Sequence, residues 1–324
     1  MANCVFSHSL TSLDVISKKE GVQQDIQAIC TSLPLLESCK IQVRCINGVP
    51  QEKEKVVFDL SPFQRCSRLT ALMVSRTDYN SSFAGNSENI EQLRTLPHLE
   101  NLLDTSFSDK EWLRLLRAPS PALTRVRLYV APPEELVTLF AASLPRLAQL
   151  DLPTCIGLDA LRGTPNLRSL TLLHENHRFV FNYAHFGLCA QLHTLHISTV
   201  VFHNPLQCLP LQGILSRMPH LQTLSIDDAY QLTSLHFLSE NKSLSRTLRS
   251  LQMRHCNFTS DNVRLHLHCL QQLTQLHLDG ACFAGFTADT LCQLKSPSPA
   301  FPKLEQSFVG HSMSERERKY FYYF

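Results

Sequence analysis

The stretch Leu147–Leu172, LAQLDLPTCIGLDALRGTPNLRSLTL, decides the fold. It contains two copies of one pattern, LAQLDL and LRSLTL, in which leucines follow the spacing Leu-x-x-Leu-x-Leu. The last two leucines of each copy lie two residues apart, so on a β-strand they face the same side. A proline stands two residues before each copy, at Pro145 and Pro165. The pattern predicts short strands, each with one apolar face, that recur along the chain.

The same pattern extends over nearly all 324 residues. Two of its copies, LENLLD and LEQSFV, are degenerate. Twelve copies can be recognised, and their first leucines are Leu10, Leu36, Leu69, Leu99, Leu123, Leu147, Leu167, Leu192, Leu221, Leu248, Leu273 and Leu304. Prolines run in phase with them at Pro34, Pro97, Pro121, Pro145, Pro165, Pro219 and Pro302. Two signals in one register indicate a true internal repeat.

Several connections between the copies have helical spacing. Examples are Gln23–Pro34, Pro133–Pro145 and Asp261–Leu273. One strand and one helix cannot bury each other's apolar surface alone, so neighbouring units must stack. The sequence therefore predicts an α/β solenoid in which parallel strands line a concave face and helices cover a convex face. We expect one array of about twelve repeats over residues 1–310, followed by a capping helix and aromatic tail over 311–324.

These segments resemble the leucine-rich-repeat superfamily, whose solenoids are horseshoe-shaped. The long units with helical connections are similar to the ribonuclease-inhibitor-like, or cysteine-containing, type. That type often carries Cys or Asn three residues after the last leucine, as Cys155 and Cys256 do here, while Cys282 lies one residue later. The resemblance implies a protein that binds another macromolecule on its concave face and is not an enzyme.

The two ends of the array leave alternatives open. The first strand begins at Leu10, so either the chain belongs to a longer array, a partner covers this end, or residues 1–9 shield it. At the other end, Ser314 and Glu317 fit a helix-capping box. The five aromatics at 320–324 are either a lid on the last repeat or a peptide that docks a partner.

Composition excludes several classes of function. Lys plus Arg total 30 and Asp plus Glu total 28, which gives no support for a nucleic-acid binder. The 12 cysteines show no C-x-x-C pair, and the N-terminus lacks the features of a secretion signal. No run of 18 apolar residues indicates a membrane span. We expect a cytoplasmic or nuclear chain with free thiols, not secreted and not membrane-bound.

No local motif nominates an active site or a cofactor. Phosphate-binding glycine loops, the nucleophile elbow and the H-E-x-x-H motif do not occur in the sequence. The one metal-like group is His185, Cys189, His193 and His196. Because His193 and His196 belong to the repeat LHTLHI, they should lie on or beside a strand and not converge with the other two. We therefore expect no metal ion and no cofactor.

The predicted binding surface follows from the strand register. Residues between the core leucines should form columns across the concave face, with adjacent strands about 4.8 Å apart. Arg127 should then neighbour Asp151, and Arg254 should lie between Asp227 and Asp279. The candidate partner-binding residues are Arg125, Arg127, Tyr129, Asp151, His196, Asp227, Arg254, His277 and Asp279.

The repeat pattern and the resemblance together favour a non-enzymatic scaffold or adaptor that binds another protein. Two alternatives remain at this stage. A substrate receptor of a ubiquitin ligase usually carries an F-box before its repeats, and this chain begins its repeats at once. A regulator of small GTPases would need a catalytic group such as Arg127 or Arg254, which no local motif supports.

Overall fold

A computed structural model describes the twelve repeat strands and parts of their connections. The described residues are 10–18, 21–44, 59–76, 93, 95–103, 109–117, 122–128, 132–153, 157–173, 189–198, 213–227, 234–254, 266–279 and 303–310. The chain divides into two compact units, Met1–Leu167 and Arg168–Phe324. The single array expected over residues 1–310 stays a prediction.

The first unit contains six parallel strands that follow one another in chain order. Register pairs such as Asp14 with Lys40 and Arg127 with Asp151 align neighbouring repeats residue by residue. The strands are β1 (Ser12–Lys18), β2 (Ser38–Arg44), β3 (Ala71–Arg76), β4 (Asn101–Leu103), β5 (Arg125–Arg127) and β6 (Gln149–Leu152).

The second unit repeats this arrangement with six further parallel strands. The register runs continuously from Thr171 through His196, Ser225 and Gln252 to His277. The strands are β7 (Ser169–Leu173), β8 (Thr194–Ser198), β9 (Thr223–Ile226), β10 (Ser250–Arg254), β11 (Gln275–Asp279) and β12 (Gln306–Gly310).

Every strand begins two residues after a leucine that opens a repeat in the sequence. The degenerate copies at Leu99 and Leu304 follow the same rule, with β4 and β12. The central leucines, such as Leu150, Leu170 and Leu224, are fully buried. The strand of Leu170 alternates half-buried with buried residues, whereas β6 and β9 also bury the polar residues Asp151 and Ser225. The α/β leucine-rich-repeat fold expected from the sequence is therefore confirmed within each unit.

One backbone motif joins each repeat to the next inside a unit. A carbonyl just before a strand accepts two consecutive N–H groups from the following repeat. Thr124 O, for example, accepts from Ala148 N at 2.7 Å and Gln149 N at 3.0 Å. In the second unit, Gln222 O accepts from the Arg249 and Ser250 amides in the same way. This motif satisfies backbone groups that would otherwise be buried without partners, and it holds the repeats in register.

The phased prolines occupy tight turns immediately before the strands. Leu147 N donates to Leu144 O at 3.0 Å, which closes a four-residue turn with Pro145 in its second position. The same turn surrounds Pro34, Pro97, Pro165 and Pro219. The fixed proline φ favours the second position of such a turn. Pro121 and Pro302 lie outside the described residues.

The connections are partly helical. The α-helices with described bounds are α1 (Val22–Ser32), α2 (Asp109–Arg117) and α3 (Glu134–Ser143) in the first unit, and the short α4 (His236–Ser239) and α5 (Lys242–Thr247) in the second. Tighter 3₁₀ turns replace them at Ser61–Arg65 and Leu158–Gly163. Thus α1 and α3 confirm two of the predicted helical segments. Of the third, only residues 266–273 are described.

The connections pack their apolar residues against the strands and against each other. Trp112 of α2 meets Phe140 of α3 edge to face, with ring centroids 5.2 Å apart, and both side chains are buried. In α5, Asn241 caps the helix, because its Oδ1 accepts from the Ser243 and Leu244 amides. None of the helices in the described ranges has the length and apolar character needed to cross a bilayer.

Candidate binding surface

The polar sheet face is the candidate site. We define it as the strand face opposite the core leucines, with its central column formed in the first unit by Asp14, Lys40, Met73, Leu103, Arg127 and Asp151 and in the second by Thr171, His196, Ser225, Gln252 and His277. Within each unit these columns are as the sequence predicts. The parallel register lines up side chains of different repeats at the spacing of neighbouring strands.

Charged residues in the first unit converge on Asp151. Arg127 donates from Nε to Asp151 Oδ2 at 2.7 Å, and Arg125 Nη2 lies 3.5 Å from the same oxygen. The Asp151 side chain is only 4% exposed, whereas those of Arg125 and Arg127 are 34% and 27% exposed. The predicted proximity of Arg127 and Asp151 is confirmed.

Two apolar residues border this cluster. Met73 of β3 pairs in register with Leu103 of β4, and both side chains are half-buried on the polar sheet face. Leu102 pairs with Val126, so one step further along the same register Leu103 stands beside Arg127. Further along the sheet, the Lys40 ammonium contacts the Asp14 carboxylate at 2.7 Å. The first unit thus combines an apolar strip with an arginine–aspartate cluster.

In the second unit, a carboxylate lies between two basic side chains. Asp227 Oδ2 is 3.7 Å from His196 Nε2 on one side and 4.0 Å from Arg254 Nη1 on the other. Gln252, with its amide oxygen turned toward Arg254, accepts from Nη2 at 3.2 Å and Nε at 3.0 Å. The predicted neighbourhood of Arg254 and Asp227 is confirmed. Gln252 is not among the candidate residues predicted from the sequence, although it stands in the central column.

Several polar atoms on this face are buried without a hydrogen bond among the described residues. They are Ser225 Oγ and Asp227 Oδ1 in the second unit and Arg125 Nε in the first. A buried polar atom without a partner costs free energy, so each is an unused hydrogen-bonding group. The sequence does not identify Ser225 as a candidate, because its burial depends on neighbouring side chains that cover it only in the folded sheet.

The remaining predicted residues have different outcomes. His277 lies half-buried in the central column, where the sequence places it. Asp279 pairs with Arg254 in the backbone register, but its side chain lies outside the described residues. Tyr129 lies wholly outside them, as do residues 1–9, the aromatic tail at 311–324, and Cys155 and Cys256. Binding by any of these residues stays a prediction.

The described residues contain no group of three His, Cys, Asp or Glu side chains placed to hold a metal ion. Of the metal-like sequence cluster, His185 lies outside the described range, Cys189 is buried in the core, and His196 faces the other side of the sheet. Burial raises the pKa of the Cys189 thiol to about 12. Cys189 is therefore a protonated, apolar core residue at neutral pH.

Comparisons with known proteins add little to this geometry. No protein-family model matches the chain, and no curated protein is significantly similar to it in sequence. Among solved structures, an internalin from Listeria monocytogenes matches over 94% of this chain and 88% of its own, at 15% identity and a TM-score of 0.37. A similarity of this size carries no inference about function, so the site must be interpreted from its own residues.

Proposed function

We propose that the chain is a non-enzymatic scaffold or adaptor that binds another protein on its polar sheet face. One observation carries the proposal: buried, unsatisfied polar atoms lie among half-buried charges on a rigid sheet. Asp227 Oδ1 and Ser225 Oγ have no hydrogen-bond partner among the described residues, although His196 and Arg254 flank them. A partner that displaces the covering side chains and donates to these atoms would remove an existing desolvation cost.

The framework around these atoms supports recognition without large rearrangement. Thr171, His196, Ser225, Gln252 and His277 are held by five consecutive strands in a continuous register. Because the backbone of these strands is fixed by the sheet, little conformational entropy is lost when a partner binds. The surface also mixes both charge signs, which favours orientation and selectivity over raw affinity.

The test compares a variant of the polar sheet face with a matched control. His196→Ala together with Arg254→Ala removes the two basic groups around Asp227. Arg217→Ala together with His220→Ala removes the same residue types from exposed positions in the connection before β9. Each tagged protein is used to capture binding proteins from extracts of cells that make the chain, with quantification by mass spectrometry and circular dichroism to verify folding.

We expect a defined set of proteins to be captured by the wild type and by the control and to be lost with the polar-face variant. Equal capture by all three folded proteins would contradict the proposal. If only the control variant lost the captured proteins, the binding surface would lie on the connections and not on the polar sheet face.

Finer assignments are part of the same proposal. The α-helical connections α1, α2 and α3 support the ribonuclease-inhibitor-like type of repeat, whereas the 3₁₀ turns at Ser61–Arg65 and Leu158–Gly163 resemble shorter repeats. The five cysteines described as free thiols support a reducing location such as the cytoplasm. The ubiquitin-ligase and GTPase-regulator alternatives stay predictions.

A further inference from the structure

We propose that Arg125 and Arg127 form a carboxylate-binding site for an acidic protein segment whose apolar side chain packs on Met73 and Leu103. The inference rests on the proposed protein-binding function, and it names the chemistry of the partner. It concerns the first unit, where charge, hydrogen-bonding capacity and apolar surface coincide on one face.

Arg125 and Arg127 share one acceptor. Among the described residues, both guanidinium groups approach the same oxygen, Asp151 Oδ2. Arg127 makes the close contact at 2.7 Å, whereas Arg125 is held only at 3.5 Å. A carboxylate from a partner would give Arg125 the short, charge-assisted hydrogen bond that Asp151 does not provide.

Arg125 also has unused hydrogen-bonding capacity. Its Nε is buried and has no hydrogen-bond partner among the described residues, while the side chain as a whole is 34% exposed. Guanidinium presents its donors in a planar fork that matches both oxygens of a carboxylate. A carboxylate that draws the guanidinium outward by a small rotation would satisfy Nε and a terminal nitrogen together.

The adjoining surface decides which class of molecule carries the carboxylate. Met73 and Leu103 form a half-buried apolar strip on the same face, and the register places Leu103 beside Arg127. A protein segment can present an acidic side chain next to an apolar one, whereas RNA has no such pair of groups. RNA would need a run of cations along its phosphates, whereas here Lys40 is paired with Asp14 and the whole chain has a formal net charge of only +2.

Short labelled peptides test the site directly on the full chain. The probe is a fluorescein-labelled peptide with the core Leu-Glu-Leu-Glu-Leu, measured by fluorescence anisotropy. Comparison peptides have the cores Leu-Gln-Leu-Gln-Leu and Ser-Glu-Ser-Glu-Ser, and a labelled oligouridylate represents RNA. We expect the first peptide to bind about tenfold more tightly than the glutamine peptide, the size of one charge-assisted hydrogen bond. The serine peptide should also bind more weakly.

Three variants assign the effect to the cluster. Arg125→Gln should reduce the preference for the acidic peptide over the glutamine peptide to about threefold or less, since one of two guanidinium partners is lost. Arg65→Gln removes an equal charge from an exposed position of the 3₁₀ turn Ser61–Arg65 and should leave the preference unchanged. Asp151→Asn removes the carboxylate that competes with the peptide for Arg125 and Arg127, and it should increase affinity for the acidic peptide.

Each contrary result overturns this inference. Equal binding of the acidic and glutamine peptides would show that no carboxylate is recognised. If Arg65→Gln reduced the preference for the acidic peptide as much as Arg125→Gln does, the preference would reflect the overall charge of the protein and not binding at Arg125. Oligouridylate binding as tight as that of the acidic peptide would replace a protein partner with RNA. None of these outcomes depends on the capture experiment with His196 and Arg254 variants, so the proposed scaffold function can survive the failure of this site.

Discussion

Arg127 and Asp151 occupy equivalent positions of consecutive repeats, and the guanidinium Nε of one donates to the carboxylate of the other at 2.7 Å. The pair joins β5 to β6 by side chains, on the face opposite the buried leucines. Since the Asp151 side chain is 4% exposed and accepts from a second arginine as well, this carboxylate is part of the first unit's structure as well as of its surface chemistry.

Replacing Asp151 by Asn should therefore destabilise the first unit. The change removes the carboxylate that Arg125 and Arg127 share, and we expect a loss of about 1–3 kcal/mol in the free energy of unfolding. Urea denaturation followed by circular dichroism measures it. Glu37→Gln, at an exposed position before β2, is the control and should stay within about 0.5 kcal/mol of wild type. A neutral effect of Asp151→Asn would mean that the ion pair contributes nothing to folding.

Leu224→Ala tests the repeat register itself. Leu224 is the central leucine of β9 and is fully buried, so truncation should leave a cavity and cost about 2–5 kcal/mol of stability. Leu35→Ala is the matched control, because Leu35 is 40% exposed in the turn before β2. Thermal and urea denaturation of both variants give the comparison. Equal stability of the two variants would be incompatible with Leu224 in the core.

The strands could be predicted from the sequence because their signal is local and repeated. A leucine at Leu147 or Leu221 fixes where the next strand begins and which residues face the core, and a parallel register then aligns Arg127 with Asp151. Even the degenerate copies at Leu99 and Leu304 obey the rule, since stacking imposes the register of their neighbours.

Features that depend on three-dimensional packing were not visible in the sequence. The short connection after β6 forms the 3₁₀ turn Leu158–Gly163 instead of an α-helix, and its composition does not predict this. Ser225 Oγ and Arg125 Nε are buried without hydrogen-bond partners among the described residues because neighbouring side chains cover them. Likewise, the contact of Gln252 with Arg254 depends on side-chain rotamers, which repeat periodicity does not specify.

Gly157 provides a test of backbone geometry. It has a φ of 74° at the start of Leu158–Gly163, and a Cβ there would lie 3.1 Å from Val137 Cβ and 3.3 Å from Glu134 Cα. Gly157→Ala should cost about 1–2 kcal/mol from the left-handed conformation alone. Gly163→Ala is the control, since a Cβ there meets nothing within 4 Å. We expect that change to be neutral or to stabilise by about 0.4–1 kcal/mol.

A difference in melting temperature between the two variants checks the prediction. If Gly157→Ala and Gly163→Ala melted together, the turn would have to accommodate a side chain by shifting away from α3.

The histidines around α4 predict a pH dependence of stability. The pKa of His266 is lowered, chiefly by burial and then by His236 and His268, with Glu240 opposing. The unfolded chain therefore binds this proton first, near the ordinary pKa of about 6.5, so stability falls as pH drops through 6.5 and levels off below the folded pKa. Melting temperatures from pH 7.5 to 4.5 should show a smaller decline in His266→Gln than in wild type.

His220→Gln, at an exposed position, is the control and should keep the full wild-type decline. Identical curves for all three proteins would show that His266 does not titrate differently in the folded state.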